Sequence, residues 1–496
     1  MKRSKIFILL LLLLFTGKYA KAKLLTYPVP LGIIKQSAFS IRVREALLSW
    51  QPIEIYSANV AKTSANHFSP VKTSFGYFDC DNNVEIEVTV KNYIKSARVS
   101  PAKYGIVPQI KNNKIVFLLK PGQKISLEIN GDIYNNLQLF ANQILDKEYV
   151  KTDTSLIYFG PGIHNLGRRR LNSNETLYIA GGAVVYGSLI IDHAENVKIC
   201  GTGILAQLED FFPNKFLKHT KVNPLSIGER ADQILISFSK NVTIDGICVL
   251  PHKYSVLIGN SDGVTIQNFK AFSFEGNADG IDIFCSKNIN ISHIFMRNSD
   301  DCIAVYGHRW GYYGNTSNVN VNDAALWADV AHPILIGTHG DSNQPDTLER
   351  MRFSDLSILN HHENQLDYQG CIALNAGDDN LIRDITFENV NVERISKGQL
   401  INLRVINNRK YNTSPGNRIE NILFKNLHYS GLGVPLSIFT GYDSTRNIRN
   451  IVFVNLKIGN KVISDTMDGK PSYYKTGDMA NIFWSEHVQN VSFITN

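Results

Sequence analysis

The sequence predicts an all-β chain in which a small β-sandwich precedes a right-handed parallel β-helix. Three observations carry that expectation. Residues 23–150 alternate apolar and polar side chains in short runs separated by turn signals, the pattern of paired strands. From about Thr152 a short phrase recurs, an Asn or turn residue followed by an alternating apolar run and another Asn or Gly. Long 3.6-residue periods are missing from these repeats, so the repeat is built of strands rather than helices. The composition agrees: 44% apolar and 19% charged residues in a chain of 496 exclude disorder, a collagen-like sequence and a disulfide-stapled miniprotein.

Residues 1–22 read as a secretory signal. Lys2, Arg3 and Lys5 precede an apolar run from Ile6 to Phe15, and Ala20-Lys21-Ala22 supplies small residues for cleavage. The run is too short to span a bilayer, and no later segment is long and apolar enough. Removing the segment takes five positive charges and no negative ones, so the formal charge falls from +7 to +2. A nucleic-acid partner thereby loses its electrostatic support, and an exported protein without a membrane span is expected.

In 23–150, Val84-Glu-Ile-Glu-Val-Thr-Val90 and Lys114-Ile-Val-Phe-Leu-Leu119 alternate in the way of half-buried strands. Asp81-Asn82-Asn83, Asn112-Asn113 and Pro121-Gly122 mark turns between them, as in an antiparallel sandwich. In 151–496 the recurring phrase includes Asn241-Val-Thr-Ile-Asp-Gly246, Asn288-Ile-Asn-Ile-Ser292, Asn421-Ile-Leu-Phe-Lys-Asn426 and Asn450-Ile-Val-Phe-Val-Asn455. Most gaps are about 22 to 30 residues or twice that, one turn of a solenoid. Asn suits the turns because it tolerates the left-handed conformation and its amides can stack in a ladder. Insertions at Tyr306–Ser317 and Gly337–Glu349 interrupt the rhythm and are expected as loops on one face. The six cysteines show no zinc spacing and read as buried free thiols.

The chemistry concentrates in two neighbouring repeats. Gly276-Asn277-Ala278-Asp279-Gly280-Ile281-Asp282-Ile283 and Asn298-Ser299-Asp300-Asp301-Cys302-Ile303-Ala304-Val305 put Asp279 and Asp300 21 residues apart, about one coil. On stacked strands they lie roughly 5 Å apart along the axis. Asp279, Asp300 and Asp301 then crowd one surface, and like charges at that range raise at least one pKa. Glycoside hydrolysis needs the resulting division into a proton donor and a base. His339, in Ile336-Gly337-Thr338-His339-Gly340-Asp341, has small neighbours that let a sugar approach, and Arg404 lies in a later strand where its donor fork can hold hydroxyls or a carboxylate. Trp310, Tyr312 and Tyr313 in the first insertion are candidate walls for sugar rings, or they pack under their own loop. His308 and Arg309 are candidate substrate contacts. Asp282 is read as pointing outward, His332 before Pro333 as structural, and Gly377-Asp378-Asp379 as a loop.

The order NxDGxDI, strand, DDCIAV, His motif, Arg-containing strand resembles the polygalacturonases of glycoside hydrolase family 28, which share the pectin-lyase-like β-helix. It is also similar to the related dextranase family 49, which joins an N-terminal β-sandwich to such a helix. The resemblance implies that Asp279 matches the Asp of the Asn-Thr-Asp motif, Asp300 and Asp301 the Asp pair, His339 the His of Gly-His-Gly, and Arg404 the Arg of Arg-Ile-Lys. It implies an inverting mechanism with Asp300 as general acid, Asp279 and Asp301 activating water, no metal and no cofactor. Three positions depart from the pattern: Ile406 replaces the motif Lys that helps hold a uronate carboxylate, Thr338 replaces a Gly, and Tyr306 stands where a Lys often follows the Asp pair. Two of these remove positive charge, so a neutral glycan competes with polygalacturonate as the expected polysaccharide or oligosaccharide substrate. A calcium-dependent polysaccharide lyase and a non-catalytic glycan-binding β-helix are the alternatives from other classes.

Overall fold

The computed structural model describes residues 23–64, 67–144, 155–207, 211 and 232–495; the expected signal segment, 1–22, lies outside them. Between Leu24 and Gln143 the alternating runs become strands in two sheets, of six and five strands. Period-2 alternation turns Ile41, Val43, Ile86, Val88, Phe117, Leu127 and Leu139 into the common core between them. One pairing departs from the antiparallel expectation: Leu137–Gln143 runs parallel to Ser74–Cys80. The chain visits the opposite sheet between these two strands, which supplies the crossover that a parallel pair requires.

Among the described residues from Leu156 onward, 29 strands wind into one continuous solenoid sheet whose ladders are parallel except at Leu456–Ile458 with Lys461–Ile463. The recurring Asn residues sit at its turns with positive φ, 51° to 59° at Asn241, Asn288, Asn421 and Asn450. That conformation costs most residues roughly 1–2 kcal/mol. Here the amides offset it by bonding from coil to coil: Asn241 Nδ2 donates to Asn196 Oδ1 (2.6 Å), Asn318 to Asn288 (3.0 Å), Asn450 to Asn421 (3.0 Å) and Asn490 to Asn450 (3.1 Å). Inside, Phe353, Phe387, Phe424, Phe453 and Phe493 stack with centroids 4.8–5.2 Å apart, close to the spacing of neighbouring strands. The six cysteines are buried.

The sandwich lies against one face of the solenoid, where Tyr56, Phe75, Tyr77 and Phe140 meet Phe272, Phe295 and Trp327. An adjacent face is built from Val256–Gly259, Ile281–Phe284, Ile303–Tyr306, Ile334–Gly337, Ile372–Ala376 and Ile401–Val405, each paired with the next. Both long insertions leave from the ends of strands in this face. No helix among the described residues is long and apolar enough to cross a membrane.

Candidate active site

The register of that face assembles the site. Ile281 pairs with Ile303 and Ile303 with Ile334, so the residues two positions earlier, Asp279, Asp301 and His332, stack in one column. The backbone confirms the stacking, since Gly280 N–H donates to Asp301 O (2.8 Å) and Cys302 N–H to His332 O (2.8 Å). Gly280 permits this closeness: a Cβ there would come within 1.8 Å of Met296 Cε and 2.2 Å of Cys302 O. One oxygen from each of Asp279, Asp300 and Asp301 falls within 4.8 Å of the others. This is tighter than the 6.5–9.5 Å usual between inverting carboxyl groups, because side chains on adjacent coils converge here instead of splaying. The same convergence makes a group able to hold a cation, which spacing along the chain did not suggest.

Asp301 is buried and heavily engaged. Its Oδ1 accepts from His332 N–H (3.0 Å) and His332 Nδ1 (2.6 Å), and its Oδ2 from the Tyr306 hydroxyl (3.2 Å). The other imidazole nitrogen, Nε2, faces the carbonyl of Tyr368. A carbonyl only accepts, so Nε2 carries a proton, and Nδ1 carries one toward a carboxylate that already takes two other donors. His332 is therefore an imidazolium paired with an ionised Asp301. Burial opposes that charge, but the Asp301 carboxylate overrides it and lifts the His332 pKa to about 9. His361 braces the turn, donating through Nδ1 to Ala331 O (2.9 Å) and accepting from Gly370 N–H (3.2 Å); burial and the neighbouring His332 charge hold its pKa down at about 3.

Asp300, partly open to solvent, accepts from Asn277 N–H (3.0 Å) and Asp301 N–H (3.2 Å). Packing around it and the Asp301 charge raise its pKa to about 7. Asp279 is pushed well above the usual carboxylate range by burial and by Asp282, Asp300 and Asp301. Asp282 points outward from its strand as expected, yet the structure leaves it fully buried beside Asp279. It too is raised by burial, against the pull of Arg309. Four carboxyl groups thus lie within electrostatic reach of one another, and the alternation that marks Asp282 as outward does not show what covers it.

The remaining sequence candidates divide. The ring of His339 lies against Tyr306 (5.1 Å) and Tyr411 (6.2 Å), within reach of the Asp301 charge. Burial, with Arg309 nearby, lowers its pKa to about 3, so it is neutral. The histidine bonded to Asp301 is His332, which the sequence suggests is structural. Arg309 stacks on Trp310 (4.3 Å) and Tyr306 (5.6 Å), and Trp310 and Tyr313 are exposed. Tyr312 is not a wall: it packs under its own loop against Phe284 and bonds Ser237 Oγ (3.0 Å). His308 lies against Tyr313 (3.9 Å), with its N–H on the Asp346 carboxylate. Arg404 is on the same face two coils beyond Gly337, where Nη1 bonds Asp367 O (2.9 Å) and Oδ1 (3.1 Å). Asp378 and Asp379 form a turn, capped by Thr413 and Ser414 and by Arg446.

Comparison with known proteins fits this arrangement. Over 206 residues, 40% of its length, the chain is 28% identical to a polygalacturonase of Juniperus ashei and to one of Chamaecyparis obtusa. The matches span only 38% and 37% of those relatives' own lengths. Among solved structures, Dex49A from Penicillium minioluteum superposes with a TM-score of 0.60 at 15% identity, covering 93% of this chain and 96% of that one; this is a likeness of fold, sandwich included. A profile of the glycosyl hydrolases family 28 matches residues 189–469, more than half of the chain and the whole of the carboxylate site, so the chain belongs to that family.

Proposed function

We propose that the chain is an exported glycoside hydrolase that cleaves a polysaccharide or oligosaccharide by an inverting, polygalacturonase-like mechanism. The observation that carries the reading is a pair of adjacent carboxyls in opposite states: Asp300 shifted to about 7, and Asp301 bonded to the His332 imidazolium. Asp300 holds a proton near neutral pH and gives it to the glycosidic oxygen as the bond from the anomeric carbon breaks. Asp301 keeps its charge and one unused acceptor position on Oδ2, which takes the proton of the attacking water. Two hydrogen bonds of ordinary length from one water span oxygens about 4.5 Å apart, so the gap of at most 4.8 Å between Asp279 and Asp301 suits a single water. Asp279, leaning toward its neutral form, orients that water more than it deprotonates it. Trp310 and Tyr313 present faces for sugar rings.

For the substrate, the relatives' names favour polygalacturonate. A second reading, a neutral glycan, is favoured by Ile406 in place of a uronate-binding Lys and by Arg404 already bonded to Asp367. Reducing-end release from polygalacturonate and dextran separates the two. The mechanism is tested by Asp300→Asn, Asp301→Asn and Asp279→Asn, with NMR of the first-formed anomer. Wild-type turnover in Asp300→Asn, or retention of configuration, overturns it.

A further inference from the structure

The sandwich reaches the catalytic turns through one buried polar network. Arg297 and Asp329, both essentially without solvent exposure, form a two-pronged ion pair: Nε to Oδ2 and Nη2 to Oδ1, each 3.0 Å. Arg297 also lies over the Trp327 ring at 4.1 Å. Arg297 stands three residues before Asp300, and Asp329 three residues before His332. The Asp329 N–H donates to Asn298 O (2.8 Å). The pair therefore fastens together, at their roots, the two turns whose tips carry the Asp301–His332 contact.

Its outer partners come from the sandwich. Arg297 Nη1 donates to Asn136 Oδ1 (3.1 Å), and that oxygen is held by Thr73 Oγ1 (2.7 Å) and Gln138 Nε2 (2.7 Å). Thr63 Oγ1 donates to Asp329 O (2.6 Å). A buried ion pair keeps its geometry only while its remaining donors and acceptors are satisfied; here Asn136 accepts from the Arg297 fork, and Thr63 fixes the backbone carbonyl of Asp329 from which the carboxylate projects. We propose that the N-terminal sandwich is a clamp on the active site, with Asn136 and Thr63 as positioning residues that hold the Asp301–His332 pair in register through Arg297 and Asp329.

The test is direct observation of His332 by NMR in protein labelled with ¹⁵N-histidine, assigned by loss of its signals in His332→Gln. Thr63→Val keeps the shape and removes the hydroxyl, Asn136→Leu removes the acceptor, and Thr63→Ser restores the hydroxyl. Tyr77→Phe is the control: it deletes another bond between the two parts, Tyr77 Oη to Gly182 N–H (2.9 Å), far along the solenoid. The expected result is that Thr63→Val and Asn136→Leu lower the His332 titration midpoint by about one pH unit, a tenfold loss of proton affinity. Thr63→Ser and Tyr77→Phe leave it in place. An unmoved midpoint in folded Thr63→Val, or an equal shift in Tyr77→Phe, overturns the clamp. The kinetic arm, a displaced pH profile of kcat, rests on the hydrolase reading. The NMR arm does not, so the two fail separately.

Discussion

Replacing His332 by Gln tests the central ion pair through its stability, whatever the substrate. The folded protein holds this imidazolium at a pKa of about 9, against 6.5 for an unfolded histidine. Between those values the native state keeps a proton that the unfolded chain has released. Each pH unit there is worth 1.36 kcal/mol, so the proton contributes about 3 kcal/mol in full below pH 6.5. That contribution disappears as pH rises through 9. Glutamine can neither take the proton nor neutralise Asp301. In urea unfolding followed by tryptophan fluorescence, His332→Gln is therefore expected to lose about 3 kcal/mol at pH 6, with the deficit shrinking toward pH 9.5. A deficit of the same size at both pH values refutes the argument, since it makes His332 a packing residue without a bound proton.

Other outcomes follow from the same geometry. Asp300→Asn is expected to cut turnover about 10²–10⁴-fold without changing the circular dichroism spectrum. In the wild type kcat falls as pH rises through about 7, because the acid then loses the proton it must donate. Asn450→Ala puts a Cβ-bearing residue without an amide at φ 59° and breaks two ladder bonds, to Asn421 and from Asn490. It should cost about 2 kcal/mol in urea denaturation, with Asn450→Gly recovering the backbone share. Phe424→Ala opens a gap in the middle of the phenylalanine stack and should cost about 3–5 kcal/mol in the same assay.

Much of the architecture was legible because it is periodic. The Asn phrases mark left-handed turn positions whose amides bond along the axis, and a conformation that only a few residue types adopt easily leaves a strong trace in composition. The phenylalanines near the end of several phrases form a column inside the coil because a repeat of one coil brings equivalent positions into register. Asp279, Asp300 and Asp301 were legible because like charges one coil apart are costly without a use. Arg297 and Asp329 left no such trace. Their hydrogen-bond partners Asn136 and Thr63 stand more than 150 residues away in the chain, and nothing in a local pattern reveals a contact of that range. The role of Tyr312 was open for a related reason: an aromatic side chain in an inserted loop has the same sequence signature whether it faces a sugar or the sheet beneath.

The choice between His339 and His332 is more instructive, because the deciding signal was present. His339 drew attention through its neighbours Thr338 and Gly340, a criterion of local shape. In a solenoid, however, residues meet across coils according to their distance from the start of equivalent strands, and flanking composition does not enter. Asp279 stands two residues before Ile281, Asp301 two before Ile303, and His332 two before Ile334, where each Ile opens a strand of the same face. Tyr254 before Val256 and Gly370 before Ile372 extend the column in both directions. His339 lies beyond the end of its strand and enters the site from the opposite edge, through Tyr306. Counting from strand starts picks out the histidine that bonds Asp301, and it locates the proline at 333: equivalent positions Gly280, Cys302 and Cys371 donate an N–H to the next coil, a bond that proline cannot make.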